Sequence, residues 1–346
     1  MEKKYIKIQS NFEKVMEFNR AFDMVELEPQ FYDAHTTDEN GNLIYNPFKD
    51  VRSSIFANSP KTINLRLDLI NEEIEELQDA VNHNDIIEQR DACSDILYVV
   101  YGMADVLGIA IDNIFRDNLQ KKIVKYYKNK EEISIKDDNV SNTSIKIITD
   151  GVSQINLTSP SVESIFDINK SKQISNFNYI KHFYNELLGF NIKDIRIYTV
   201  INYILIKINT HFTELKQICN TNLECDNNVN VNDNVNNKMV DIANKLYKIL
   251  RWVYIFALVI GVDEDEDFNI VHKSNMSKLC DSEIDAKETV NDYQRKFKLG
   301  ISIYDSPYYY YLPNINKWIV KNLSSGKALK NIYYKSVSFS NNRFVF

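Results

Sequence analysis

The 346-residue chain is poor in the residues that build turns. It has only 8 glycines and 6 prolines, which argues against a turn-rich β fold and for long helices. Its four cysteines, Cys93, Cys219, Cys225 and Cys280, show no CxxC spacing, so reduced thiols in a cytoplasmic setting are expected. No signal peptide is expected, because Met1-Glu2-Lys3-Lys4 leads into an ordinary amphipathic segment. The longest apolar run, Ile249 to Val262, contains Arg251 and is shorter than the roughly 20 residues a membrane span needs. No membrane partner is expected. Positive charge is also lacking: the net charge of -7 argues against nucleic acid as a partner. With 44% hydrophobic residues the chain can bury one large core or two smaller ones.

What is present is a helical hairpin over residues 63–108. In its first arm Ile70, Ile74, Leu77 and Val81 fall in one stripe at 100° per residue, which predicts an amphipathic helix. Glu73 lies at the border of that stripe and Glu76 a little further round, while Glu72 and Glu75 point towards water. The second arm, Ala92 to Gly108, is apolar over most of its circumference and so predicts a buried helix. Glu88, Asp91 and Asp95 nevertheless share one of its faces. A turn near Asn82-His83-Asn84 would set Glu73 opposite Asp95 and Glu76 opposite Asp91. Carboxylates gathered this closely either raise one another's pKa or bind a cation. All-oxygen ligation suits Mg²⁺, with Mn²⁺ a possible substitute.

These residues resemble a known family. Glu72-Glu73-x-x-Glu76-Leu77, followed by Asp91-x-x-x-Asp95-Ile-Leu-Tyr-Val-Val-Tyr-Gly, is similar to the MazG-like, all-α nucleoside triphosphate pyrophosphatase superfamily. The phosphoribosyl-ATP pyrophosphohydrolase-like branch adds a V-H-x-S-N-M-S-K segment and a G-K-x-x-K tail. Here these read Val271 to Lys278 and Gly326-Lys327-Ala328-Leu329-Lys330. The superfamily's second motif is ExxD, and the position three before Asp95 is Ala92, so Asp91 or Glu88 would replace that ligand. The resemblance implies an all-α fold and Mg²⁺-dependent cleavage of a nucleoside triphosphate between its α and β phosphates, releasing a monophosphate and pyrophosphate. It implies metal ligands among Glu73, Glu76, Glu88, Asp91 and Asp95, and a base or water-positioning acid at Glu72 or Glu76. Phosphate contacts would come from Asn275 and Lys278, with Lys121, Lys327 and Arg66 as further candidates. The alternative is a catalytically inactive helical protein that binds nucleotides or partners.

The chain also repeats itself. Residues 11–24 are echoed by 176–190, the first arm (69–78) by 207–216, and the second arm (86–108) by 239–261. The second copy has lost acids: Glu73 becomes His211, Asp91 becomes Asn244 and Asp95 becomes Lys248, while Glu76 survives as Glu214 and Glu88 as Asp241. The expected organisation is a catalytic copy over 1–128, a polar linker over 129–175, and a degenerate copy with the C-terminal tail over 176–346. Two such copies would pack as an intrachain pseudo-dimer, in a chain that is monomeric or forms a homodimer. The copy-one loop (28–61) and an Asn-rich surface insertion between the arms of the second hairpin (220–237) account for the changing register.

Overall fold

The computed structural model describes residues 9–22, 24, 35–37, 43–45, 60–119, 175–181, 197–221 and 231–339. It is mostly helical, and its residues divide into two compact units. The first takes in residues up to Phe12, the long stretch 30–265 and the last five residues; the second takes in 13–29 and 266–341. The proposed 129–175 linker, apart from Ser175, and most of the 28–61 loop lie outside the described residues. Within that loop, β1 (His35–Thr37) pairs antiparallel with β2 (Leu43–Tyr45), His35 opposite Tyr45.

The first unit is built on two helical hairpins. Helix α1 (Asn11–Ala21) contributes its first two residues to this unit and the rest to the second. Helix α2 (Pro60–Asn82) opens with proline, which suits a first turn where the missing N–H has no partner to lose. It buries Ile63, Leu67, Ile70, Ile74 and Leu77. Asn84, in the left-handed region at φ 55°, reverses the chain. Asp85 then caps α3 (Ile86–Leu107) by accepting from the backbone N–H of Ile87 and Glu88 at 3.0 and 3.2 Å. The short helix α4 (Ile111–Leu119) follows at a bend of 112°. After α5 (Asn176–Lys181), the second hairpin is α6 (Ile197–Asn220) and α7 (Val231–Ile260). Its α7 starts inside the Asn-rich stretch that was expected to be a surface loop. Helix propagation is cooperative, so the buried run from Met239 onward extends backward into residues that would not nucleate a helix alone.

The hairpins pack α2 on α3, α6 on α7, and α7 on α3, with α6 also touching α2. Both inner helices stop alike. Gly108 and Gly261 take φ 71° and 76°, and the next residue's N–H reaches back to Ala104 O and Ala257 O. A left-handed C-terminal glycine lets these bonds close. Among the described residues no single helix is long and apolar enough to cross a membrane.

At the centre of the first unit is a buried polar network that repeats about the two copies. Asn11 donates to Tyr254 Oη at 3.3 Å and to Asp265 at 3.0 Å. Asn176 donates to Tyr101 Oη at 2.9 Å and to Asp112 at 2.7 Å. The two hydroxyls meet at 2.9 Å. Phe12 packs on the Tyr101 ring at 5.7 Å and Phe177 on the Tyr254 ring at 6.1 Å. Asn11 and Asn176 are repeat equivalents, as are Phe12 and Phe177, and Tyr101 and Tyr254. Asp112 and Asp265 become so when the alignment runs on past the two glycines without a gap. Each copy's leading Asn thus bonds to the other copy's Tyr and Asp.

The second unit holds the rest of α1, most of α8 (Glu264–Met276), α9 (Glu283–Lys298), and the antiparallel hairpin β3 (Pro307–Leu312) and β4 (Lys317–Asn322). Ser282 and Asp285 form a capping box that starts α9. Alternation along β4 places Ile319 among Ala21, Phe22, Leu279 and Leu312, and Val320 among Cys280, Ala286, Val290 and Leu329. The run Tyr308-Tyr309-Tyr310-Tyr311 lies within β3. Tyr309 and Tyr311 meet Trp318 at 5.6 and 5.1 Å, and Tyr308 stacks with Tyr310 at 5.9 Å. The fold is thus mostly helical, with a small β element that the all-α expectation did not include.

Tyr101→Phe and Tyr254→Phe should each lower stability by about 1–2 kcal/mol by stranding buried partners. The double variant should lose less than the sum, because the two hydroxyls share one bond. Urea unfolding of the four proteins checks this, and strict additivity would remove the coupling.

Candidate active site

The acids of the first hairpin sit where two packed helices leave a stripe that is only partly covered. On α3 nearly every side is buried, yet Asp91, Asp95 and Val99 are intermediate and Glu88 is exposed. On α2, Glu73 is intermediate, and Glu72, Glu75 and Glu76 are exposed. Glu75 accepts a hydrogen bond from Asn71 at 2.6 Å and so belongs to the solvated side.

Glu73 is the centre of the cluster. Burial, then the charges of Asp95, Glu76, Glu72 and Asp91, push its carboxyl up to about 8. Its Oε2 is buried and meets no hydrogen-bond donor among the described residues. Glu76 is also raised, first by burial and then by Glu72 and Glu88. The expected cross-hairpin pairing of Glu73 with Asp95 is present in these fields. Glu76, by contrast, feels Glu88 across the hairpin, one turn away from the Asp91 partner that the sequence suggested. Ala92 is buried, so the position of the missing ExxD acid faces the core.

Among the described residues, no group of three His, Cys, Asp or Glu side chains stands ready-made at metal-holding geometry. The chemistry of the donors nevertheless fits a hard divalent cation. Glu73, Glu76, Glu88, Asp91 and Asp95 lie along one partly covered stripe, and Glu73 carries a buried oxygen without a donor and a pKa raised by burial and then by its acidic neighbours. A cation would relieve that repulsion and satisfy that oxygen.

The basic candidates are placed differently. Arg66 is buried between Ile63 and Ile70 on the apolar side of α2, and the charge of Asp105 offsets part of its burial cost. It is therefore not the exposed side chain that a phosphate contact would need. Asp105 was not singled out from sequence, although one acid in so apolar a helix was the available signal. Lys121 lies outside the described residues. Asn275, Lys278 and Lys327 belong to the second unit. There the SNMSK segment ends α8: Lys278 donates to Asn275 at 2.7 Å and lies 5.9 Å from the Phe18 ring centre. Ser274 meets Tyr334 Oη at 2.8 Å, and Asn331 donates to Ser277 O. Lys327 is exposed in the loop after β4.

The second hairpin shows what loss of the acids does. Glu214 accepts from Lys245 Nζ at 2.8 Å and is bonded to His211 Nδ1 at 2.9 Å. Those two bonds hold its carboxyl down to about 2, the reverse of the shift at Glu76.

Residues 42–122, which span the acid-bearing hairpin, match the family model described as phosphoribosyl-ATP pyrophosphohydrolase. This hairpin is a MazG-like domain of that branch. The match ends before α5, so the second hairpin lies outside it. The whole chain is similar to the uncharacterized protein L479 of Acanthamoeba polyphaga mimivirus, at 29% identity over 96% of this chain and 94% of that protein. No solved structure matches the chain.

The field on Glu73 gives a pH prediction for the metal-free protein. Between about 4.5 and 8 the folded state keeps a proton that the unfolded chain would release, so stability should fall as pH rises through that window. Glu73→Gln should flatten the fall, read as melting temperature against pH in EDTA. A wild-type curve that rises from pH 5 to 8 would contradict the clustered acids.

Proposed function

We propose that the first hairpin is a divalent-metal-dependent nucleoside triphosphate pyrophosphohydrolase that releases a nucleoside monophosphate and pyrophosphate. The observation that carries this is the half-buried Glu73 carboxyl, raised by burial and by four neighbouring acids and with one buried oxygen that no donor meets, inside a segment that matches a pyrophosphohydrolase family model. Glu73, Glu76 and Asp95, with Asp91 or Glu88, would hold Mg²⁺, or Mn²⁺ in its place. Such an ion would supply Lewis-acid stabilisation of phosphate charge.

The chain's own acids have separable tasks. Glu73, the more buried, is suited to holding charge and stays fixed by the helix pair. Glu76 is exposed at the open edge with a raised pKa, and a carboxylate made more basic takes a proton from water more readily. Glu72, exposed beside both, is the other acid able to orient that water. Half-burial of the stripe keeps the reacting anhydride's electrostatics strong by limiting solvent.

The copies we read as a tandem duplication packed as an intrachain pseudo-dimer. The reciprocal network of Asn11 and Asn176 with the opposite copy's Tyr and Asp supports that reading, as do the matched glycine stops.

Pyrophosphate release from a panel of nucleoside triphosphates, with Mg²⁺, Mn²⁺ or EDTA, tests the proposal. Glu73→Gln and Asp95→Asn should each lower turnover by at least about a hundredfold, and Glu214→Gln should leave it within about twofold. Release that survives both first-hairpin variants, or none from any triphosphate, would sink it. Triphosphate-induced thermal stabilisation without release would favour the inactive nucleotide-binding reading.

A further inference from the structure

In place of the first hairpin's acids, the second hairpin carries basic groups. By the repeat alignment Lys248 stands at the Asp95 position, His211 at the Glu73 position and Lys245 at the Ala92 position. Lys245, Lys248 and Arg251 recur every third residue along one side of α7. Lys245 is tied to Glu214, as is His211, which burial, ahead of any charge, keeps neutral. Lys248 is half-buried and makes no hydrogen bond or ion pair among the described residues. The fields at its ammonium come from Lys245 and Arg251 as like charges, and from Glu214 and Asp241 as opposite ones. Of those acids Asp241 is exposed and Glu214 is already engaged.

A desolvated ammonium beside two other cations is unfavourable without an anion. Its neighbours on this side of the helix, Asp241, Asn244 and Lys245, are exposed or half-buried polar residues, so Lys248 stands at a polar edge open to solvent. Glu214, the partner of Lys245, also lines a groove of about 740 Å³ with Asn209, Thr210, Thr213, Gln217 and Gln78.

We propose that the second hairpin is a metal-independent binding site for a polyphosphate anion, with Lys248 and Lys245 as its main contacts. Several cations within one short helical stretch call for a multiply charged ligand, and phosphate oxygens accept from ammonium groups as strong charge-assisted bonds. The polyphosphate arm of a nucleotide and free inorganic polyphosphate share this chemistry. Entry of the ligand displaces Glu214 from Lys245, so that carboxylate is a built-in competitor. The duplication has then converted a cation site into an anion site on the same scaffold. The inference goes beyond the proposed reaction and holds whether or not the first hairpin turns over.

Isothermal titration of the full chain with sodium tripolyphosphate in EDTA tests it, because the first hairpin has no metal under those conditions. Wild type should bind, Lys248→Gln should weaken binding by at least about tenfold, and Glu73→Gln should leave affinity unchanged. Glu214→Gln should tighten binding severalfold by freeing Lys245, a gain that a merely structural role would not produce. No binding by wild type, equal affinity in Lys248→Gln with unchanged helical circular dichroism, or weaker binding in Glu214→Gln would each overturn the proposal. Parallel titrations with ATP and pyrophosphate separate the two sources: tighter ATP than tripolyphosphate assigns a nucleotide, and the reverse order assigns the inorganic anion.

Discussion

The first hairpin depends on a repulsion it does not itself relieve. Two helices that pack well through Ile70, Ile74, Ile96 and Val100 also bring together acids that would be further apart in water. Hydrophobic burial supplies the favourable free energy and the carboxylates draw on it. The result is a packed frame that holds the Glu73 carboxyl among like charges.

The second hairpin shows the same frame with the repulsion removed. Leu246, Ile249, Leu250 and Val253 keep its core, while Glu214 sits in a closed arrangement with Lys245 and His211. Apolar packing and the identity of edge charges therefore vary separately on this scaffold. Packing is decided by the buried stripe, whereas the half-buried edge positions differ in sign between the two hairpins while both stay helical.

Much of this was legible in the sequence because period and charge are local. The stripe of Ile70, Ile74 and Leu77 announced α2, and acids at i, i+3 and i+7 announced one face of α3. The Glu73–Asp95 juxtaposition followed from the position of the turn. Other features depended on contacts that no local pattern carries. Glu76 found Glu88 in place of Asp91. Arg66 looked like a phosphate contact, but it lies on the stripe between Ile63 and Ile70 and is buried with Asp105 as its counter-charge. The tyrosine run became a strand because it found Trp318 and β4, a partner chosen by tertiary structure.

The crossed bonding of Asn11 and Asn176 also bears on how the chain can change over generations. A substitution at Tyr101 is felt by Asn176, and one at Tyr254 by Asn11, so neither copy can drift alone at these places. The edge acids carry no such reciprocal tie. Within this one sequence the Asn, Tyr and Asp of the network are identical between copies, while Glu73, Asp91 and Asp95 have become His211, Asn244 and Lys248. The bonded joint between the two hairpins is thus matched residue for residue, whereas their edge charges are not.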